Sequence, residues 1–271
     1  MKKILVIPNK NNLELVLNSK VDGLILPLES LACEYDYYYS LSDIKKILNK
    51  TKKEVCVCIN KIMHDDDLKN LEIALITLNK MNISKIFFYD VSVLKMCRDM
   101  NINKKLVVFQ DHLNASYLTN RFYKNNNVSY SVITNDITKE EINEISKYQD
   151  LMMICYGYLP IFYSRRYLVS NYLQYIGKNI TSDVYYIKHE DDYYPIMEGD
   201  NGTCVYTKKP INLINEINDL NIEYIILNSF LIDDSDIINI MEDYIEGNIS
   251  NDSNYLGFLN EKTIYKVKDN E

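Results

Sequence analysis

Eight short apolar runs, each followed by a polar turn, set the tightest limit on how this chain folds. They are KILVIP (3–8), GLILPL (23–28), EVCVCIN (54–60), KIFFYD (85–90), KLVVFQ (105–110), YSVIT (130–134), DLMMICYG (150–157) and EYIILN (223–228). Each is long enough for a strand and too short for an ordinary helix, and several are apolar throughout. Strands of a parallel sheet covered on both faces need that continuous apolarity, whereas a half-exposed strand alternates.

Segments of helical period lie between the runs. HDDDLKNLEIALITLNKM puts Leu68, Leu71, Leu75 and Leu78 on one stripe behind first-turn aspartates that suit the helix dipole. TKEEINEISKY sets Thr138 three residues before Glu141, a capping box, with Ile142 and Ile145 as its apolar stripe. DDSDIINIMEDYIEG opens acidic and stops near Gly247. About eight strand–helix alternations in 271 residues predict an α/β fold, a (β/α)8 TIM-like barrel, whose usual size is about 250 residues. A doubly wound open sheet is the alternative. The seven glycines form neither GxGxxG nor a P-loop, so dinucleotide and nucleoside-triphosphate fingerprints are absent.

One stretch breaks the rhythm. After a helix expected near 164–176, DVYYIKHEDDYYPIMEGDNGTCVYT (183–207) reads as two or three short antiparallel strands with turns at HEDD and EGDNG. It is expected as a small hairpin insertion, about 183–208, between strands seven and eight. With no other linker or repeat, the expectation is a single barrel domain over 1–271.

Charge and composition narrow the partners. A formal charge of −8 disfavours broad nucleic-acid binding and an anionic membrane surface, without excluding a local basic groove. No run approaches the roughly 18 apolar residues of a membrane span. The opening run of four apolar residues before Pro8 is too short for a signal-peptide core, so a cytoplasmic location is expected. Cys33, Cys56, Cys58, Cys97, Cys155 and Cys204 form no CxxC and no knuckle spacing, and read as buried free thiols with no structural metal.

In a barrel enzyme chemistry sits at the C-terminal strand ends. The polar residues there are Asn9, Glu29, Asn60, Lys61, Asp90, Asp111, His112, Asn114, Asn135 and Asp136. Glu29, Asp90, Asp111 and His112 are the candidate catalytic residues, because carboxylates and an imidazole there can share acid–base work. Helix capping is the competing reading for each carboxylate. HDDD (64–67) resembles a metal cluster but is better read as capping, since consecutive helical side chains diverge. Asn60, Tyr163, Ser164, Arg165 and Arg166 are candidate substrate-binding residues, the arginines as bidentate clamps for phosphate or carboxylate.

Several segments together resemble a known family. NKIMHDDDLKNL, IFFYDVSVLKM, FQDHLNASYLTN, ITNDITKEEINEI, MMICYGYLPIFYSRRYLVSNYL and GTCVYTKK, in that order and spacing, are similar to peptidase family U32, the collagenase-like proteases. The resemblance implies peptide-bond hydrolysis on a peptide or protein substrate. Other members are implicated in hydroxylating RNA bases or a quinone precursor, with a [4Fe–4S] cluster held by four cysteines. In the family one cysteine follows Gly-x-Leu and another follows Ser-Gly-Arg; here those positions are Pro160 and Tyr167. Neither side chain supplies a thiolate, so no cluster is expected. Three readings follow: a U32-like peptidase; a non-catalytic or partner-dependent subunit that binds peptide or RNA, in a homo- or hetero-oligomer; and last, an iron–sulfur hydroxylase.

Overall fold

The structure, a computed structural model, describes residues 2–110, 112–249 and 254–261. In chain order its elements are β1 (Lys3–Ile7), α1 (Leu13–Asn18), β2 (Gly23–Pro27), α2 (Leu41–Lys50), β3 (Glu54–Ile59), α3 (Leu68–Asn79), β4 (Lys85–Phe88) and α4 (Val91–Asp99). Next come β5 (Lys105–Phe109), α5 (Tyr117–Asn125), β6 (Tyr130–Val132), α6 (Lys139–Ile145) and β7 (Leu151–Gly157). The remainder is β8 (Pro160–Ser164), α7 (Leu168–Tyr175), β9 (Val184–His189), β10 (Asp192–Gly199), β11 (Gly202–Tyr206), β12 (Ile211–Asn212), β13 (Tyr224–Asn228) and α8 (Asp234–Glu246).

Every expected apolar run is a strand. β1 to β7 pair in order and in parallel, and β13 lies between β1 and β7. The β6–β7 ladder closes the ring, so the fold is the expected eight-stranded parallel barrel. β2, β4, β7 and β13 are buried at every position, as strands between helices and a filled interior must be. Helix starts follow the sequence. Thr138 and Glu141 form the capping box of α6. Gly247 closes α8 at φ 71°, a left-handed conformation that glycine adopts without a Cβ clash. The three aspartates of HDDD make a 3-10 turn before α3, whose buried stripe is Leu71, Ala74, Leu75 and Leu78.

The N-terminal end of the barrel is plugged by charge rather than by hydrocarbon alone. Lys85 is 1% exposed and bonds Glu54, which also takes Lys3 at 2.6 Å and the Tyr224 hydroxyl at 3.3 Å. The Lys85 ammonium lies 4.5 Å from the Tyr224 ring centre and 5.7 Å from that of Tyr130. A buried ammonium needs such a cage, because an unpaired charge there would be far too costly. Burial pushes the Glu54 carboxyl upward, but its bonds to the two lysines outweigh that and hold it down to about 2.

The insertion lies between the seventh and eighth barrel strands as expected, but it begins at Pro160, not near residue 183. PIFYS is a strand, and it joins the hairpin strands in a four-stranded antiparallel sheet of order β8-β11-β10-β9. Proline fits because it opens an edge strand, where its missing N–H is not needed. The sheet is pinned to the barrel by a small second core of Met197, Cys204, Tyr206 and Phe230. Tyr206 and Phe230 rings lie 4.3 Å apart. Gly157 makes the departure from the barrel possible. It sits at φ 122°, and a Cβ there would fall 2.3 Å from the Asn228 carbonyl oxygen. Among the described residues, no helix is long and apolar enough to cross a membrane.

Candidate functional site

The insertion roofs part of the barrel mouth and leaves a cleft of about 160 Å³ beneath it. Its walls are the C-terminal ends of β5, β6 and β7, the start of β8, and residues just beyond β11. Phe109, Val132, Ile154, Leu159 and Pro160 make it mainly apolar; His112, Asn135, Asp136, Tyr194 and Lys208 supply its polar groups.

His112 and Asp136 meet in this cleft, with Nδ1 and Oδ2 2.6 Å apart. The Thr134 hydroxyl donates to the same carboxylate oxygen at 3.0 Å. Burial pushes the Asp136 carboxyl up, but the bond and charge of His112, with Thr134, bring it below the usual carboxylate range. An ionised Asp136 makes Nδ1–H the donor, leaving Nε2 as the basic nitrogen of a neutral ring. Such a pair can accept or release one proton. Asn135 is fixed by donating Nδ2 to the Ile154 carbonyl at 2.9 Å.

A smaller cavity at the barrel axis shares Phe109, Ile154 and Pro160 with the cleft and adds Glu34, Tyr35, Tyr206 and Asn228. Glu34 has φ 71°, rare for a residue with a Cβ and costly unless the surroundings impose it. The surroundings are clear: the Tyr206 hydroxyl donates to its carbonyl at 2.9 Å and Asn60 Nδ2 to its carboxylate at 3.1 Å. Glu34 is thus presented to the mouth by the insertion and β3 together.

The other expected site residues lie elsewhere. Asp90 spends both oxygens on backbone, taking Ser92 N–H at 2.8 Å as the cap of α4 and Met63 N–H at 3.1 Å. Glu29 is exposed. Asn60 holds Glu34 and accepts the Cys33 N–H at 3.0 Å. Arg165 reaches Asp67 and the Ile62 carbonyl, both at 3.4 Å, and so ties the insertion to the loop before α3. Arg166 is exposed, and among the described residues its guanidinium has no partner. Tyr163 donates its hydroxyl to the Asn201 carbonyl at 2.6 Å, and Ser164 Oγ accepts the Arg166 N–H at 3.2 Å. Asp111 lies outside the described residues. Among the described residues of the expected catalytic set, His112 alone lines the cleft; Asp136 and Asn135 were legible as strand-end polar groups, and Glu34 was not.

The two positions where the resemblance implies cysteines, Pro160 and Tyr167, are both built into structure. Pro160 lines the cleft as the first residue of β8, and the Tyr167 hydroxyl donates to the Asp200 carbonyl at 3.2 Å. All six cysteines are buried, and burial pushes the thiols of Cys56, Cys97 and Cys155 up to about 12. Cys33 and Cys204 point their thiols at the Asn60 and Val205 carbonyls. This donor set does not fit a four-thiolate iron–sulfur cluster. No metal-ligand cluster of three or more His, Cys, Asp or Glu residues occurs among the described residues.

Comparison with known proteins adds four likenesses. The family model described as peptidase family U32 matches residues 14–244. A Bacillus subtilis protein described as tRNA hydroxylation protein P2 is 26% identical over 195 residues, covering 67% of this chain and 63% of that protein. The match thus spans less than two thirds of that relative's length. Among solved structures, the U32 peptidase Mk0906 superposes with a TM-score of 0.55 at 9% identity, over 84% of this chain and 92% of that one. Orotidine 5′-monophosphate decarboxylase from Methanocaldococcus jannaschii superposes equally, with a TM-score of 0.55 at 15% identity, over 92% and 99%. At such identities the two superpositions speak for the barrel and nothing finer.

Proposed function

The chain belongs to peptidase family U32, and from that premise we propose that it serves in tRNA modification by binding RNA, with one base held in the cleft beneath the insertion. The observation that carries this reading is the cleft itself: apolar walls, one His–Asp pair and a fixed Asn amide, in a chain related to a tRNA hydroxylation protein. Apolar walls suit the faces of a flat heterocycle, while Asn and imidazole groups suit its polar edge. Pro160 and Tyr167 give no thiolates, so this chain's part is to hold and orient the base, with His112 placed to move one proton. The net charge of −8 confines binding to a local contact rather than a basic face.

Peptide-bond hydrolysis remains a second reading because the His112–Asp136 pair can serve as a base toward water. One preparation separates the two. Purified protein is titrated with unmodified tRNA by fluorescence anisotropy and, in parallel, incubated with a diverse peptide library. The RNA reading expects saturable tRNA binding, weakened at least tenfold in His112→Ala and Asn135→Ala, with no cleavage. Cleavage that His112→Ala abolishes, without tRNA binding, would replace it with the peptidase reading.

A further inference from the structure

The inserted sheet has two edges, and only one is protected. β8 opens with Pro160, and its pairing with β11 shifts register between Val205 and Tyr206, both devices that blunt an edge. β9, at the other edge, has no proline, no register shift and a single lysine, Lys188. Tyr186 and Ile187 are 60% and 43% exposed there.

The hydrogen-bond phase of β9 follows from its turn. Glu190 and Asp191 alone join β9 to β10, with Glu190 at φ 54°. A two-residue loop makes its flanking pair, His189 and Asp192, a hydrogen-bonded one. Bonding then alternates, so Ile187 and Tyr185 face β10 while Lys188, Tyr186 and Val184 turn their N–H and C=O outward. The Ser182 hydroxyl supports this phase, since it accepts the Val184 N–H at 3.3 Å and donates to the Val184 carbonyl at 2.8 Å. The outward groups of Tyr186 and Lys188 have no such partner among the described residues.

We propose that β9 pairs antiparallel with β9 of a second copy of this chain, with Ile187 on the two-fold axis, so that two four-stranded sheets become one of eight strands. This register alone uses the two open residues. It sets Tyr186 opposite the partner's Lys188 on both sides of the axis, giving four backbone hydrogen bonds. Centring on Lys188 would oppose two ammonium groups, and centring on Tyr186 would oppose Lys188 to Val184, whose groups Ser182 already fills. The side chains agree with the backbone. Ile187 meets itself across the axis, and Lys188, already 5.7 Å from the Tyr193 ring centre, gains the ring of the partner's Tyr186. An interface that maps one patch onto itself is what two-fold symmetry requires. This surface is separate from the cleft, and it stands whether or not RNA binds there.

Light scattering and sedimentation of the full chain test the proposal. The wild type is expected at twice the 31.9 kDa chain mass at tens of micromolar. Ile187→Lys, which puts like charges on the axis, and Tyr186→Pro, which removes an outward donor without touching the β10 ladder, are expected at the monomer mass. An Ile187→Cys variant keeps the test independent of misfolding. The axial pair is non-hydrogen-bonded, with Cα atoms about 4.5 Å apart, within disulfide reach. Copper phenanthroline with dioxygen, which takes two protons and two electrons from the thiol pair, should convert Ile187→Cys to a covalent dimer. Tyr193→Cys, exposed but off the axis, should dimerise without forming the covalent link. A monomeric wild type, a dimer unchanged in Ile187→Lys, or equal cross-linking in both cysteine variants would overturn the proposal.

Discussion

At the scale of single residues, the molecule spends its least replaceable side chains on closing the barrel. Glu54 answers both Lys3 and the fully buried Lys85, so Glu54→Gln strands an ammonium in the interior. Removing one partner of a buried pair costs about 3–5 kcal/mol, and urea denaturation of Glu54→Gln should show a loss near the lower end, because Glu54 retains some solvent contact. Lys85→Met should cost less, since it leaves Glu54 with Lys3. The same carboxylate sets an acid limit. Its folded pKa of about 2 lies below the ordinary 4.5, so its contribution is complete above pH 4.5 and is lost as pH falls toward 2. Wild-type stability should fall through that window, and Glu54→Gln should fall less steeply. Gly157 is a second irreplaceable residue. At φ 122° and against the Asn228 carbonyl, Gly157→Ala should destabilise by about 2 kcal/mol, from strain and a forced shift.

Among elements, the insertion is the one whose order depends on polar contacts. Glu198 on β10 accepts the Val169 N–H at 2.8 Å and the Ser170 N–H at 3.1 Å, bonds the Ser170 hydroxyl, and meets Thr203 Oγ1 at 2.9 Å. It therefore caps α7 from a neighbouring strand and fixes the turn carrying Arg165, Arg166 and Tyr167. Glu198→Ala should raise hydrogen exchange across 160–206 while β1 to β7 keep wild-type protection. The contrast explains what the sequence could show. Barrel strands buried on both faces announce themselves by continuous apolarity, and α6 by Thr138 and Glu141. β8 hides because PIFYS is half exposed, follows Gly157 and opens on Pro160, two residues that read as a turn. Glu198 hides because its helix lies about thirty residues away in sequence. Glu34 hides because nothing in LACEYDYYY marks a left-handed backbone. His112, Asn135 and Asp136 were visible as strand-end polar groups, but their convergence depends on β5 and β6 being neighbours.

For the molecule as a whole, a U32 barrel carries Pro160 and Tyr167 at the two positions where the family resemblance implies cysteines. The replacements are integrated, with Pro160 lining the cleft and Tyr167 bonded to the Asp200 carbonyl. Anaerobically purified protein should therefore show neither stoichiometric iron nor the brown absorption of a cluster, and a one-to-one cluster would refute the assignment of those positions. The proposed role in tRNA modification makes a sharper demand inside the cell. Mass spectrometry of nucleosides from digested tRNA can compare the native host, a strain lacking this chain, and that strain complemented with wild type or His112→Ala. The account predicts that hydroxylated nucleosides fall without the chain, return with wild type, and stay low with His112→Ala at equal protein level. An unchanged nucleoside profile in the strain lacking the chain would contradict it.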